Sequence, residues 1–194
     1  MRSIAALTFG WALLALPTSM VDPSPAEIHR IAWEYQNAAN GKARDYARAR
    51  ALYERAAAAG YAWSYYGLAT IYSRGQGVNV DFAAARGFYL QAAAGGIDRA
   101  FFNLGVIYHK GLGVARDDRR ALDYFKQAAA MGLDHACFSL GVFYEKGYAV
   151  PASPALAFVW YSRAARSGLP QAMAKLNRFR LDRCERALVI GQRQ

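Results

Sequence analysis

From Tyr61 to Gly168 the apolar residues fall into short helical patterns that return at a fixed interval. In the stretch Arg99 to Gly132, Ala100, Leu104, Ile107 and Tyr108 are spaced four, three and one apart and share one side of a helix, and the glycines after Lys110 stop it. Sliding the chain by 36 residues superposes Tyr61 to Gly96, Ile97 to Gly132 and Leu133 to Gly168 as three copies. Leu68-Ala69, Leu104-Gly105 and Leu140-Gly141 coincide, as do Tyr72, Tyr108 and Tyr144, and then Gly75, Gly111 and Gly147. The second halves match through Ala85, Ala121 and Ala157, through Phe88, Tyr124 and Trp160, and through the alanine pairs that precede Gly96, Gly132 and Gly168.

A worn copy precedes these, from Pro25 to Gly60. It keeps Gly41, Asp45, Ala49, Leu52-Tyr53 and Gly60, but Gln36 stands where the period expects Tyr, with Tyr35 one place out of register. After Gly168 the pattern restarts at Leu169, Ala172 and Leu176 and fails at Asn177 and Arg180, as the last helix of a stack would with water on one side. Each copy predicts two antiparallel helices. Asp45, Asp81 and Asp117 are the expected caps of the second helices, with Ser153-Pro154 in the last copy. Small residues such as Gly105 and Ala121 let helix backbones approach, and rings such as Tyr108 and Tyr124 fill the space beside them.

These copies resemble Sel-one-like repeats, the glycine-bearing subclass of the tetratricopeptide superfamily. The shared pattern is Leu-Gly, Tyr, a Gly-x-Gly-Val turn, Asp, Ala, and Tyr-x-x-Ala-Ala closing on Gly. The departures are Ala69 for the first Gly, Ala149 for the second turn Gly, and Ser153 for the Asp. The resemblance implies an all-α protein, a right-handed alpha-alpha superhelical solenoid, that displays the first helix of each pair in a concave groove. It also implies protein binding there.

The groove positions then come in rows spaced by the period: Trp63, Arg99 and His135; Tyr66, Phe102 and Phe138; Thr70, Val106 and Val142; Ser73, His109 and Glu145; Arg74, Lys110 and Lys146. The aromatic row would either grip a partner or pack between copies. Trp63, in a row otherwise made of Arg and His, is expected to be at least half exposed. The basic rim would favour acidic residues on the partner.

Composition sharpens this picture in two places. The chain carries 24 Lys and Arg against 14 Asp and Glu, a net charge of +10, and Lys175, Arg178, Arg180, Arg183, Arg186 and Arg193 concentrate the excess near its end. Such a surface suits an acidic protein, an anionic glycan or an anionic lipid surface. At the other end Arg2 precedes the uncharged run Ile4 to Leu16, too short to span a bilayer as a helix and of the length of a secretory signal's apolar part. The expected organisation is a signal peptide over 1–26, with a cut near Ser19 or Met20 as the alternative. A solenoid over 27–186 follows (copies 27–60, 61–96, 97–132 and 133–168, capping helix 169–186), then a flexible tail over 187–194. Export to the periplasm or beyond makes nucleic acid an unsuitable partner.

Catalytic chemistry finds no pattern. His29, His109 and His135 lie in different copies, so no metal pair is expected, and the Gly-x-Gly turns follow helices where a dinucleotide site would follow a strand. No cofactor is implied. Cys137 and Cys184 fall too far apart along parallel helices to form a bridge, and Cys137 is expected as a buried thiol. Three functions fit: an exported protein–protein interaction module or adaptor, an immunity protein that neutralises an antibacterial effector in the periplasm, and a module for envelope glycan or anionic lipid.

Overall fold

The second helix of every copy begins where a short side chain closes over free backbone N–H groups. Asp45, Asp81 and Asp117 accept from the amides of Arg48, Ala84 and Arg120 at 2.9, 2.9 and 3.0 Å, and Ser153 accepts from Leu156 at 3.3 Å. The structure, a computed structural model, describes residues 22–179. In these residues α1 (Pro25–Asn37), α2 (Tyr46–Ala58), α3 (Ala62–Arg74), α4 (Phe82–Ala94), α5 (Asp98–Lys110), α6 (Asp118–Ala130), α7 (Asp134–Lys146) and α8 (Pro154–Ala165) follow one another, and residues 170–179 are helical again. No strand occurs among the described residues.

Each helix packs chiefly on the next in sequence, which makes the molecule a solenoid of helical hairpins. A Cβ on Gly113, in the turn after α5, would lie 2.9 Å from Phe82 at the start of α4, and one on Gly77 would lie 2.8 Å from Tyr46 at the start of α2. The turns of successive copies therefore meet along one edge, and the first helices α1, α3, α5 and α7 run side by side in one direction.

The hairpin turns share a left-handed residue in the place of the second turn glycine: φ is 70° at Gly77, 63° at Gly113 and 56° at Ala149. The last copy keeps the turn shape although it lacks the glycine. An L-residue with a Cβ is strained there, so Ala149→Gly should raise the unfolding free energy by about 1 kcal/mol, read from the urea midpoint.

The first copy differs from its sequence reading in register. The carbonyls of Tyr72, Tyr108 and Tyr144 each accept from the capping residue that opens the next helix, and in the first copy the carbonyl doing this is that of Tyr35, to Asp45 at 3.0 Å. Tyr35 is thus the structural counterpart of Tyr72, and the connection from α1 to α2 holds one extra residue. Ala38 and Gly41 repeat the two left-handed positions of the other hairpin turns, and the enlarged loop adds a third between them at Asn40. Glu34, buried beneath the loop, holds it through Lys42, Arg30 and the Asn40 amide. These partners, Lys42 and Asn40 foremost, hold its carboxyl below the usual glutamate range despite the cost of burial.

With the register set, a row of rings from the second helices, Tyr53, Tyr89, Phe125 and Tyr161, wedges against the first helices. A Cβ on Gly105 would lie 2.6 Å from Phe125, one on Gly141 2.5 Å from Tyr161, and one on Gly67 2.7 Å from Tyr53. Cys137 is buried as expected, and burial pushes its thiol up; Cys184 lies outside the described residues. So do most of the expected signal peptide and the tail. Ser24 caps α1 by accepting from Glu27, so a cut after Ala26 would fall in the first turn of α1 and a cut at Ser19 or Met20 would precede it.

Candidate functional site

The one-residue shift moves four side chains of α1 into rows that the period had left without a first-copy member. His29 joins Tyr66, Phe102 and Phe138; Trp33 joins Thr70, Val106 and Val142; Gln36 joins Ser73, His109 and Glu145; Asn37 joins Arg74, Lys110 and Lys146. All four line a cleft of about 350 Å³ on the inner side of the first three copies. Its other walls are Tyr53, Trp63, Tyr66, Gly67, Thr70, Arg74, Gln76 and Arg99. Five of the sequence-derived groove residues, Trp63, Tyr66, Thr70, Arg74 and Arg99, therefore meet in one place.

Most of the cleft is held by internal contacts. The Tyr53 hydroxyl donates to Gln36 at 2.7 Å, and the Gln36 amide donates to Gln76 at 2.7 Å. Thr70 donates to the carbonyl of Tyr66, and the Asn37 amide to that of Trp33. Tyr66 meets Trp63 edge to face at 5.9 Å and Tyr89 at 5.7 Å, so the aromatic row both packs and faces the cleft. Trp33 is 50% exposed and Trp63 37%, the latter short of the half expected because Tyr66 covers part of its ring.

The Sel1 repeat pattern matches residues 28–61, 64–97, 99–133 and 134–169, most of the chain and including the copy that looked worn. The chain belongs to the Sel1 repeat family. It is similar to a Sel1 repeat protein from Oxalobacter formigenes at 28% identity and a TM-score of 0.76, over 80% of this chain and 63% of that one. It is similar to c5321, a protective antigen of uropathogenic Escherichia coli, at 27% and 0.76, over 82% of this chain and 34% of the antigen. This Sel1 repeat chain thus spans less than two thirds of either protein. It shares its fold with the immunity protein Pa5087 from Pseudomonas aeruginosa, at 23% identity and a TM-score of 0.55, over 78% of this chain and 56% of that one. Among proteins of curated function none matches it. The Sel1 repeat fold is a non-catalytic scaffold for protein–protein interaction, and among the described residues no group of His, Cys, Asp and Glu could hold a metal ion.

Further along the solenoid several of the predicted residues pack against rings of the second helices. Phe102 packs on Phe125 at 5.6 Å and Phe138 on Tyr161 at 5.4 Å, with Val106 and Val142 half-buried beside them. His135 is exposed near Phe102, and Lys110 and Lys146 are exposed at the ends of their helices.

The row of Gln36, Ser73, His109 and Glu145 serves the ring row behind it. Gln36 and Glu145 accept from the hydroxyls of Tyr53 and Tyr161, and Ser73 lies 3.4 Å from that of Tyr89. Opposite Phe125, which has no hydroxyl, His109 pairs instead with Asp118 at 2.7 Å. Burial pushes the Glu145 carboxyl up, but hydrogen bonds from Lys175 and Tyr161 outweigh it and leave it below the usual range. The basic end falls partly outside the described residues. Within these residues no helix is long and apolar enough to cross a membrane.

His29 makes the cleft sensitive to pH. Its imidazole lies 3.1 Å from the Ser64 hydroxyl and between the rings of Tyr53 and Tyr61 at 5.2 and 5.1 Å, and burial pushes its pKa below the ordinary value. The fold favours neutral His29, so its contribution is complete above the unfolded pKa of about 6.5 and is lost as pH falls below it. Melting temperatures from pH 7.5 downward to about pH 5 should show this loss in the unaltered chain, and His29→Gln should flatten it.

Proposed function

We propose that this Sel1 repeat protein is an exported adaptor, periplasmic or secreted, that holds a partner protein in the cleft of its first three copies. The observation that carries the reading is the pair of exposed tryptophans, Trp33 and Trp63, brought from separate copies to one concave site. Large side chains with an apolar body and a polar edge are the commonest anchors of protein interfaces, and a concave wall removes most of their surface from water on docking. Export is supported by the uncharged run Ile4 to Leu16 behind Arg2.

The test is affinity capture from an envelope extract of the source organism with the unaltered chain and with a Trp33→Ala, Trp63→Ala variant. A partner retained by the unaltered chain and lost by a variant of near-equal melting temperature supports the reading. Equal retention by both places the binding elsewhere on the solenoid. In a narrower form the chain is an immunity protein, as the P. aeruginosa protein of like fold is named. Protection of cells against an effector encoded beside its gene tests that form.

A further inference from the structure

Resting on the reading of the cleft as a docking site, we infer that its occupant is an acidic polypeptide segment with a large apolar side chain beside its carboxylates. No carboxylate lines the cleft, whereas Arg74 and Arg99 both do. Among the described residues neither guanidinium takes part in an ion pair or a hydrogen bond, and neither indole N–H of Trp33 or Trp63 finds an acceptor. Two of the amide oxygens nearby are engaged, since that of Gln36 takes the Tyr53 hydroxyl and that of Gln76 takes the Gln36 amide. Beyond the cleft, the inner-row carboxylate of Glu145 is held by Lys175 and Tyr161. A carboxylate-bearing occupant therefore supplies the negative charge that the cleft lacks.

The placement of the two arginines sets the spacing. Arg74 ends α3 and Arg99 is the second residue of α5. Because these helices run side by side in one direction, the two α-carbons are separated along the axis by about the rise of eleven residues, roughly 16 Å. An extended chain covers that distance in about five residues. Trp63 stands level with Arg99, one period before it, and Trp33 stands level with Thr70, one turn from Arg74, which sets an indole near the level of each positive end and an apolar side chain beside the carboxylates of the segment. A lipid headgroup layer would use the cations and leave the recessed ring surface unfilled.

The test is a calorimetric titration of the full chain with a short peptide carrying one Phe between two Asp-Glu pairs, and with the same peptide in which Asn and Gln replace the acids. The acidic peptide should bind at least about tenfold tighter, and an Arg74→Gln, Arg99→Gln variant should erase the difference without changing the melting temperature. Equal binding of both peptides would overturn the acidic partner and leave the docking cleft standing. Binding of neither would overturn the inference, and the capture experiment with the tryptophan variant would then judge the cleft separately. Binding of phosphatidylglycerol vesicles that the arginine variant abolishes, with no response to either peptide, would overturn it in favour of a lipid surface.

Discussion

Gly105→Leu is expected to lower the unfolding free energy by about 3 kcal/mol, seen as a fall in the urea midpoint with an unchanged slope. The first atom of any side chain at this position would already stand 2.6 Å from the Phe125 ring. That ring has no room to retreat, because Phe143 meets it edge-on at 5.3 Å and Phe102 lies at 5.6 Å on another side. Leucine adds three further carbons, so α5 and α6 must part or the ring must leave its rotamer. Gly105→Ala should cost less, since Ala69 holds the equivalent place opposite Tyr89. Trp63→Ala, with its ring partly in water, should cost less than about 1 kcal/mol. Equal losses for Gly105→Leu and Trp63→Ala would refute the separation of scaffold from cleft.

Tyr53→Ala should cost about 3–5 kcal/mol, the largest effect of a single truncation in the first half of the chain. Its side chain is 1% exposed, lies over Gly67 and beside His29, and donates to Gln36. Truncation opens a cavity between two copies and leaves the Gln36 carbonyl without its donor. In a stack whose hairpins touch chiefly their neighbours, the damage should stay local. Amide exchange should quicken in α1 and α2 and hold steady in α7 and α8; uniform quickening would show that the solenoid unfolds as one unit. Tyr53→Phe, which keeps the ring, should cost about 1–3 kcal/mol through the unpaired carbonyl alone. Because Tyr53 and Gln36 are also walls of the cleft, the alanine variant should lose partner binding while Trp63→Ala loses it with the fold intact.

Much of the cleft is legible in the sequence from copies two and three. The period places Trp63, Tyr66, Thr70, Arg74 and Arg99 on inner-face rows, and they do share one cleft. His29, Trp33, Gln36 and Asn37 are missed because the period, applied rigidly, displaces each by one position, and a one-residue displacement turns a helical side chain by about 100°. The signal that could have found them is Tyr35. Aligned to Tyr72, it demands an extra residue in the following loop and brings Trp33 to the inner face beside Thr70.

The sequence by itself determined the helical hairpins, their caps, the left-handed turn positions and the stacking of copies, because each depends on residues within a few places of one another. A capping Asp, a glycine at positive φ and an apolar face at helical spacing act locally and repeat with the period. The tertiary structure alone decided which polar side chains are spoken for. His109 turns to Asp118 since Phe125 offers no hydroxyl, and Glu145 is taken by Tyr161 and by Lys175 from thirty residues away. It also decided the register of α1, through a buried Glu34 that gathers Arg30, Asn40 and Lys42 around an enlarged loop. Those outcomes depend on how rings, loops and charges from different copies meet in space, and a repeat pattern carries no record of that.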